Sequence, residues 1–377
     1  MSVVVSFYAD DKRRLLRDIL VPAAWRVLDM ARTTDQQPVS YLERHWLRGP
    51  HVRWVFNDVS DERAASARAA QIREALADMP SDATLDPHAY LALSAKLART
   101  ELVEPPFAPL RPDNDVSWEM WESPLTISLV GAGGLVLKER YLTAALDPLA
   151  VALDNGRAPL VNAFVTMVLN ACASPFNGIS GGQMSYRSHV EDFLANNDPA
   201  GLIKAGFEQR LATARPALER CLEDTVGASA DDDLLVSSWR AALRQVWATA
   251  TDLSEQGQIL ADHGPGYVER ASGIDAEAAR LWRFGPDRTV SAMHVRLAML
   301  DRRRERARVA EFAAYKHVTN LMIRWLTLLG ITPLERYFLC YTISRLVLER
   351  HGLTLEAVLS RYEERSGQPG AASRTAT

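Results

Sequence analysis

The chain has 377 residues, with 43 basic and 47 acidic side chains and a net charge of −4. Charge this close to balance provides no broad basic footprint for DNA or RNA, so nucleic acid is not an expected partner. The length is enough to bury a large core, as one unit or as two around a shared cleft. The longest apolar stretch, Leu160 to Ala173, is interrupted by Asn162 and Asn170 and is too short to cross a bilayer. The chain opens with apolar residues before its charges, the reverse of a signal peptide, so a cytoplasmic location without a membrane partner is expected.

In chain order, SVVVSFY reads as a strand. DKRRLLRDILVPAAWRVLDMA reads as a helix with Leu15, Leu16, Ile19 and Leu20 on one face and a kink near Pro22. SYLERHW and HVRWVFN flank a turn-forming link of Leu47, Arg48, Gly49 and Pro50, which predicts a hairpin. In the second of these strands a two-residue period sets Val52, Trp54 and Phe56 on one face and His51, Arg53 and Val55 on the other. A basic pair thus shares a face. The next helix, Asp61 to Met79, completes a β-α-β-β-α unit.

EPPFAPLRPDNDVSWEMWESP is rich in proline and polar residues and reads as a long ordered loop or boundary. Beyond it helices are expected over Leu135 to Leu153, Pro159 to Ala173, Ser188 to Ala195, Pro199 to Asp224, Asp233 to Glu255, Val290 to Leu329, Pro333 to Arg350 and Leu355 to Arg365. Gly330 and Pro333 fit a helix stop and the next start. The fold class is therefore α+β: an N-terminal β-rich unit with helices over residues 1–115, a mostly helical body over 116–365, and a disordered tail over 366–377.

Cys172, Cys221 and Cys340 are far apart and form no CxxC pair, which makes them core thiols. The eight histidines show neither HxH nor HExxH spacing, so no metal is expected. TISLVGAGGLVLKERYL reads as strand, glycine turn and helix, but Val136 stands where a dinucleotide fingerprint needs its third glycine. A tight turn before a buried helix is the simpler reading. DRRRERAR, Asp301 to Arg308, reads as a solvated helical face, with docking of an anionic group as the alternative.

Two stretches invite chemistry. In YRSHVEDFL, after Gly181 and Gly182, a helix sets Arg187 over Glu191 and His189 over Phe193, and Ser188 is a candidate N-cap. Adjacent residues of a helix point in different directions, so Arg187, Ser188 and His189 do not by themselves make a triad. In YKHVTNLMIRW, Tyr315, Thr319 and Met322 form one stripe and His317, Asn320 and Arg324 another, and polar groups in so apolar a helix need partners or a cavity.

Three segments resemble, in the same order, parts of the C-terminal, elimination-type domain of class I lanthipeptide dehydratases and its stand-alone relatives in thiopeptide biosynthesis. They are YLERHWLRGPHVRW, SYRSHVEDFLA and NLMIRWLTLLGITPLERYFLCY. The resemblance implies one of two activities: elimination of glutamate from glutamylated Ser or Thr, or the joining of two dehydroalanines into a six-membered nitrogen ring. Eliminating relatives resemble HxRxR at the hairpin, where this chain has Val55 in place of the second arginine, and Ile323 to Thr327 offers no counterpart of their His and Asn-Arg. Elimination needs a base and cations for departing carboxylates, so the ring-forming activity of a pyridine synthase is the expectation.

The resemblance further implies a precursor peptide with a leader as substrate, other biosynthetic enzymes of the pathway as partners, and no cofactor. Candidate catalytic residues are Tyr315 and His189 for proton transfer, with Arg187 and Ser188 polarising an amide. Candidate substrate-binding residues are His51, Arg53, Arg44 and Arg48, as a basic patch for an acidic leader, with Tyr186 and Asn320. A glutamate-eliminating lyase and a non-catalytic leader-recognition subunit are the alternatives.

Overall fold

A computed structural model describes residues 1–31, 38–58, 61–120, 124–228, 232–259, 265–282, 289–301 and 306–360. Strand β1 (Ser2–Ser6) is buried along its whole length because it is central, pairing antiparallel with β3 on one side and β4 on the other. The chain then enters a π-helical turn, Leu15–Leu20, that runs into α1 (Val21–Ala31). The Val21 N–H donates to Leu16 O, five residues back, so the helix widens before Pro22 where a simple proline kink is the sequence expectation.

Strands β2 (Ser40–His45) and β3 (His51–Phe56) form the expected hairpin, closed by Gly49 at φ +110°. Helix α2 (Glu62–Ala77) is capped by Asp61, and α3 (Pro87–Glu101) by Asp86, whose carboxylate accepts from His88 and Ala89 N–H. The sequence reading passes over α3, although an Asp-Pro pair at a helix start is a recognised signal. The fourth strand, β4 (Val116–Glu119), lies inside the stretch read as loop, and the sheet order is β2-β3-β1-β4. Four residues of mixed polarity give too short a pattern to announce a strand; pairing with β1 makes it one.

The register divides the sheet into two unlike faces. Val3, Val5, Leu42, Val52, Trp54 and Phe56 form the apolar face, covered by α1 and α2. Glu43 lies opposite Arg53 and His45 opposite His51 on the other face, which looks toward the helical body.

That body begins with α4 (Pro124–Ala144), where the sequence expectation was strand, glycine turn and helix. The segment is instead helical on both sides of Gly131, whose φ of 78° and ψ of 172° break it. A side chain on Gly133 would meet Gln258 O at 2.7 Å, so these glycines serve close backbone packing. The body continues with α5 (Leu146–Asp154), α6 (Pro159–Cys172), α7 (Ile179–Asn197), α8 (Leu202–Gly227), α9 (Leu234–Glu255), α10 (Pro265–Ile274) and α11 (Ala276–Trp282). It closes with α12 (Ala292–Asp301), α13 (Arg306–Trp325) ending in a 3₁₀ turn at Leu326–Leu329, and α14 (Pro333–Arg350).

The single helix expected over Leu135 to Leu153 is thus two, divided at Ala145. The expected Val290 to Leu329 helix appears as α12 and α13. Residues 302–305, the side chains of the Arg302 to Arg308 run, and residues 361–377, with the expected tail, lie outside the described residues. One continuous core links sheet and body, from Val3 and Trp54 through Phe164 and Trp239 to Trp325 and Val347.

Candidate functional site

Helix α7 carries the central row, and its local geometry differs from the sequence expectation. Gly181 and Gly182 are inside the helix, not in a turn before it, and Ser188 sits mid-helix, so it is no N-cap. A Cβ on Gly182 would fall 2.3 Å from Ala171 O, and one on Gly181 1.6 Å from Phe176 O. The glycines let α7 press against the end of α6. From there Arg187 pairs with Glu191 at 2.5 Å, as the i,i+4 spacing predicts.

Ser188 instead reaches a residue the sequence reading missed. Its Oγ lies 2.8 Å from His294 Nε2 on α12, and His294 Nδ1 lies 2.7 Å from Ser291 Oγ, just before that helix. Ser291 Oγ also accepts from the His294 backbone N–H at 3.4 Å. Both ring nitrogens are therefore held by hydroxyls, each able to donate or accept. A serine three residues before a histidine at a helix start was the local signal for this arrangement. Its link to Ser188, 106 residues away, was not local.

His189, next to Ser188, is held neutral. Burial pushes its imidazole down to about 4, and the charges of Arg336, His294 and Lys316 add to this. Arg336 lies over the Tyr337 ring at 4.8 Å, and that ring stacks on Phe193 at 3.9 Å, one turn beyond His189. The stacked Phe193–Tyr337 pair thus lies one helical turn from His189. At neutral pH His189 is a neutral imidazole, with one ring nitrogen an acceptor and the other a donor.

Tyr315, Tyr186 and Asn320 do not join this group. Tyr315 is buried with its Oη donating to Gly182 O at 2.9 Å, and its ring is parallel to that of Trp247. Gly182 precedes His189 by seven residues, about 10 Å along the helix at 1.5 Å per residue. Tyr186 is fully buried, donating to Met167 O and accepting from Asn170 Nδ2, which also donates to Thr319. Asn320 is exposed on α13.

The basic patch is also divided. His51 and Arg53 share the polar sheet face, but Arg53 pairs with Glu119 at 2.8 Å, and His51 is completely buried with its Nδ1 3.0 Å from Gly49 O. Burial first, then Arg53 and His45, pushes His51 well below the usual imidazole range. Arg44 lies on the opposite face, and Arg48 occupies the hairpin link at φ 61°. A one-residue step in a strand reverses the direction of its side chain, so nearness in sequence made these residues look like one surface.

Around His51 and Arg53 lies an ionic cluster that joins sheet to body. Lys138 of α4 meets Glu43 of β2 at 2.8 Å, both nearly fully buried, and Arg324 of α13 stands 3.5 Å from the same carboxylate. Burial alone would raise the Glu43 carboxyl, but Lys138 and Arg324 overcome it and hold it at about 2.

Cys172, Cys221 and Cys340 are free thiols, only the last fully buried. Burial pushes Cys172 up to about 11 and Cys340 up to about 12, so neither is a thiolate at neutral pH. Among the described residues no group of three or more His, Cys, Asp and Glu side chains is placed to hold a metal ion. No helix among them is long and apolar enough to cross a membrane.

A short antiparallel sheet joined through its polar face to a helical body defines the fold class, and two solved structures share it. The pyridine synthase TbtD from thiomuracin biosynthesis superposes with a TM-score of 0.69 at 23% identity, over 93% of this chain and 98% of that one. TsrL superposes with a TM-score of 0.61 at 20% identity, over 98% of this chain and 99% of that one. The chain has the fold of these two proteins along nearly its whole length. No protein-family model and no curated protein matches it.

Proposed function

We propose that the protein is a pyridine synthase of thiopeptide biosynthesis, building a six-membered nitrogen ring, and with it a macrocycle, from two dehydroalanines of a leader-bearing peptide. The observation that supports this reading is the likeness to TbtD over 93% of this chain and 98% of that one. In the reaction, one dehydroalanine and its neighbouring amide become a 2-azadiene as a proton leaves the amide nitrogen and another adds to its oxygen. The second dehydroalanine adds across the diene with two new C–C bonds. Loss of water and of the leader as a carboxamide completes the aromatic ring.

The geometry supports specific roles. His189, neutral near pH 7, takes the amide proton, and Ser188, bonded to His294, supplies one to the amide oxygen while Ser291 holds the other ring nitrogen. Positioned proton transfer of this kind contributes roughly 100- to 10,000-fold. Holding two distant parts of one chain together contributes on the order of 7 to 11 kcal/mol. Arg187, tied to Glu191, and Tyr315, tied to Gly182, act by fixing α7 rather than by touching the amide. The N-terminal unit, whose sheet extends through β4 to Glu119, takes the leader, and the helical body that follows takes the reacting segment.

Glutamate elimination is the second reading, and the pairing of Arg53 with Glu119 argues against it. A guanidinium already neutralised by the protein's own carboxylate is poorly placed to grip a departing glutamate. The test is mass spectrometry of the purified protein with a synthetic leader-azole-dehydroalanine peptide. Ring formation yields a core peptide lacking the leader and one water. Glutamate loss from a glutamylated peptide as the sole reaction would overturn the proposal.

A further inference from the structure

Most arginines of the sheet region are matched by protein acceptors. Arg53 and Arg111 meet Glu119, Arg68 pairs with Asp58, and Arg73 donates to Val116 O. Arg44 differs. Half-buried on β2, it has no carboxylate within ion-pair distance and no hydrogen-bond acceptor among the described residues. A guanidinium withdrawn from water without a partner is costly, and such groups persist where solvent or a ligand reaches them.

Arg44 is reached through a cleft of about 340 Å³ between the loop before the π-helical turn, the start of α6 and the turn ending at Gly330. Lys12 forms part of the same wall, almost fully buried, with its ammonium donating to Phe7 O and Ala9 O. The opposite wall is apolar, made by Leu153, Pro159, Leu328 and Leu329. Gly330 turns at φ 77°, bringing backbone beside Arg44 without a side chain between them. Asp10 and Asp11 are exposed at the rim.

We propose that this cleft is a carboxylate-binding site, in which Arg44 and Lys12 receive the carboxylate of a peptide side chain whose aliphatic stem lies against Leu153, Leu328 and Leu329. The arrangement of charge selects this class of ligand. Lys12 is buried and Arg44 half-buried, whereas Asp10 and Asp11, which act on these cations, are exposed, where water screens their field. A polyanion such as a phosphate ester meets the acids first, whereas a single carboxylate on an apolar stem passes them. Burial, then Arg44, pushes Lys12 down to about 7 against the opposing charges of Asp10, Asp113 and Asp11, and its amine is a reporter because a further, bound carboxylate favours its protonated form. The site lies on the apolar-face side of β2, away from His51, Arg53 and the Ser188 group, and binding requires no turnover, so it stands or falls apart from the ring-forming reading.

The experiment is calorimetric titration of the full-length protein with acetyl-Leu-Glu-Leu-amide, its glutamine counterpart, and valerate. The glutamate peptide binds at least about tenfold more tightly than the glutamine peptide, the range expected for a charge-assisted pair. Arg44→Gln removes that difference, and Arg44→Lys keeps part of it. In the unaltered protein, the ¹³Cε signal of Lys12 titrates at higher pH when the glutamate peptide is present, a readout that needs no variant to fold. Equal binding of the two peptides, or an unmoved Lys12 titration, overturns the site. Valerate binding as tightly as the glutamate peptide overturns its assignment to a peptide.

Discussion

Ser188 and His294 stand 2.8 Å apart, although one comes from the middle of α7 and the other from the start of α12. With Ser291 on the far ring nitrogen, His294 can pass a proton between two hydroxyls without turning.

Ser188→Ala removes the hydroxyl and leaves the stacked Phe193–Tyr337 pair and the sheet untouched. Turnover of the dehydroalanine peptide is expected to fall by roughly 100-fold or more, with KM changed little, since proton transfer matters chiefly in the transition state. Single-turnover mass spectrometry measures the chemical step. A rise in KM at unchanged kcat would place Ser188 in binding instead.

Acid is expected to destabilise the protein through its neutral histidines. His189 titrates at about 4 and His45 at about 3 in the folded state, against 6.5 for the ordinary imidazole, with burial the main cause in each. The unfolded chain therefore binds more protons between these values. Stability is complete above pH 6.5 and declines as pH falls toward 4, each histidine contributing up to about 1.4 kcal/mol per pH unit. Thermal unfolding at pH 7.5, 6 and 5 reads the slope, and His189→Asn is expected to make it shallower.

The Glu43–Lys138 pair predicts an asymmetry between single and double variants. Lys138→Met leaves Glu43 buried with Arg324 as its remaining close cation, at a cost of about 3–5 kcal/mol. Adding Glu43→Gln removes the stranded charge and is expected to restore much of the loss. Urea unfolding of the unaltered protein and the two variants tests this, and a double variant as unstable as Lys138→Met would show that packing, not charge, is at stake.

Gly182→Ala tests why α7 and α6 approach so closely. The added methyl would lie 2.3 Å from Ala171 O, so the helices must separate, at about 1–3 kcal/mol for overpacking. Because Tyr315 donates to Gly182 O, the shift also moves the register of α7. Both Tm and turnover are expected to fall; an unchanged Tm would mean that the approach is looser than described.

The ring-forming reading involves no cofactor. Dialysis against a chelator is expected to leave turnover of the dehydroalanine peptide unchanged, and recovery only on addition of zinc would contradict it.

Local patterns in the sequence were enough for β1, the hairpin faces around His51 and Arg53, the Arg187–Glu191 pair and most helix cores, because each depends on a period of two or 3.6 residues. The sequence likewise showed Arg187, Ser188 and His189 as a row on a helix. Partners were another matter. Strand β4 exists because β1 offers an open edge, and Gly133 answers to the approach of Gln258. Only the packing of α12 on α7 put His294 beside Ser188, and only the register of β2 turned Arg44 away from Arg53. Tyr315 looked like a free polar group in an apolar helix until the fold set Gly182 O against it. Periodicity fixes which way a side chain points within its own element; what it meets there depends on contacts between residues far apart in the chain, which no local spacing encodes.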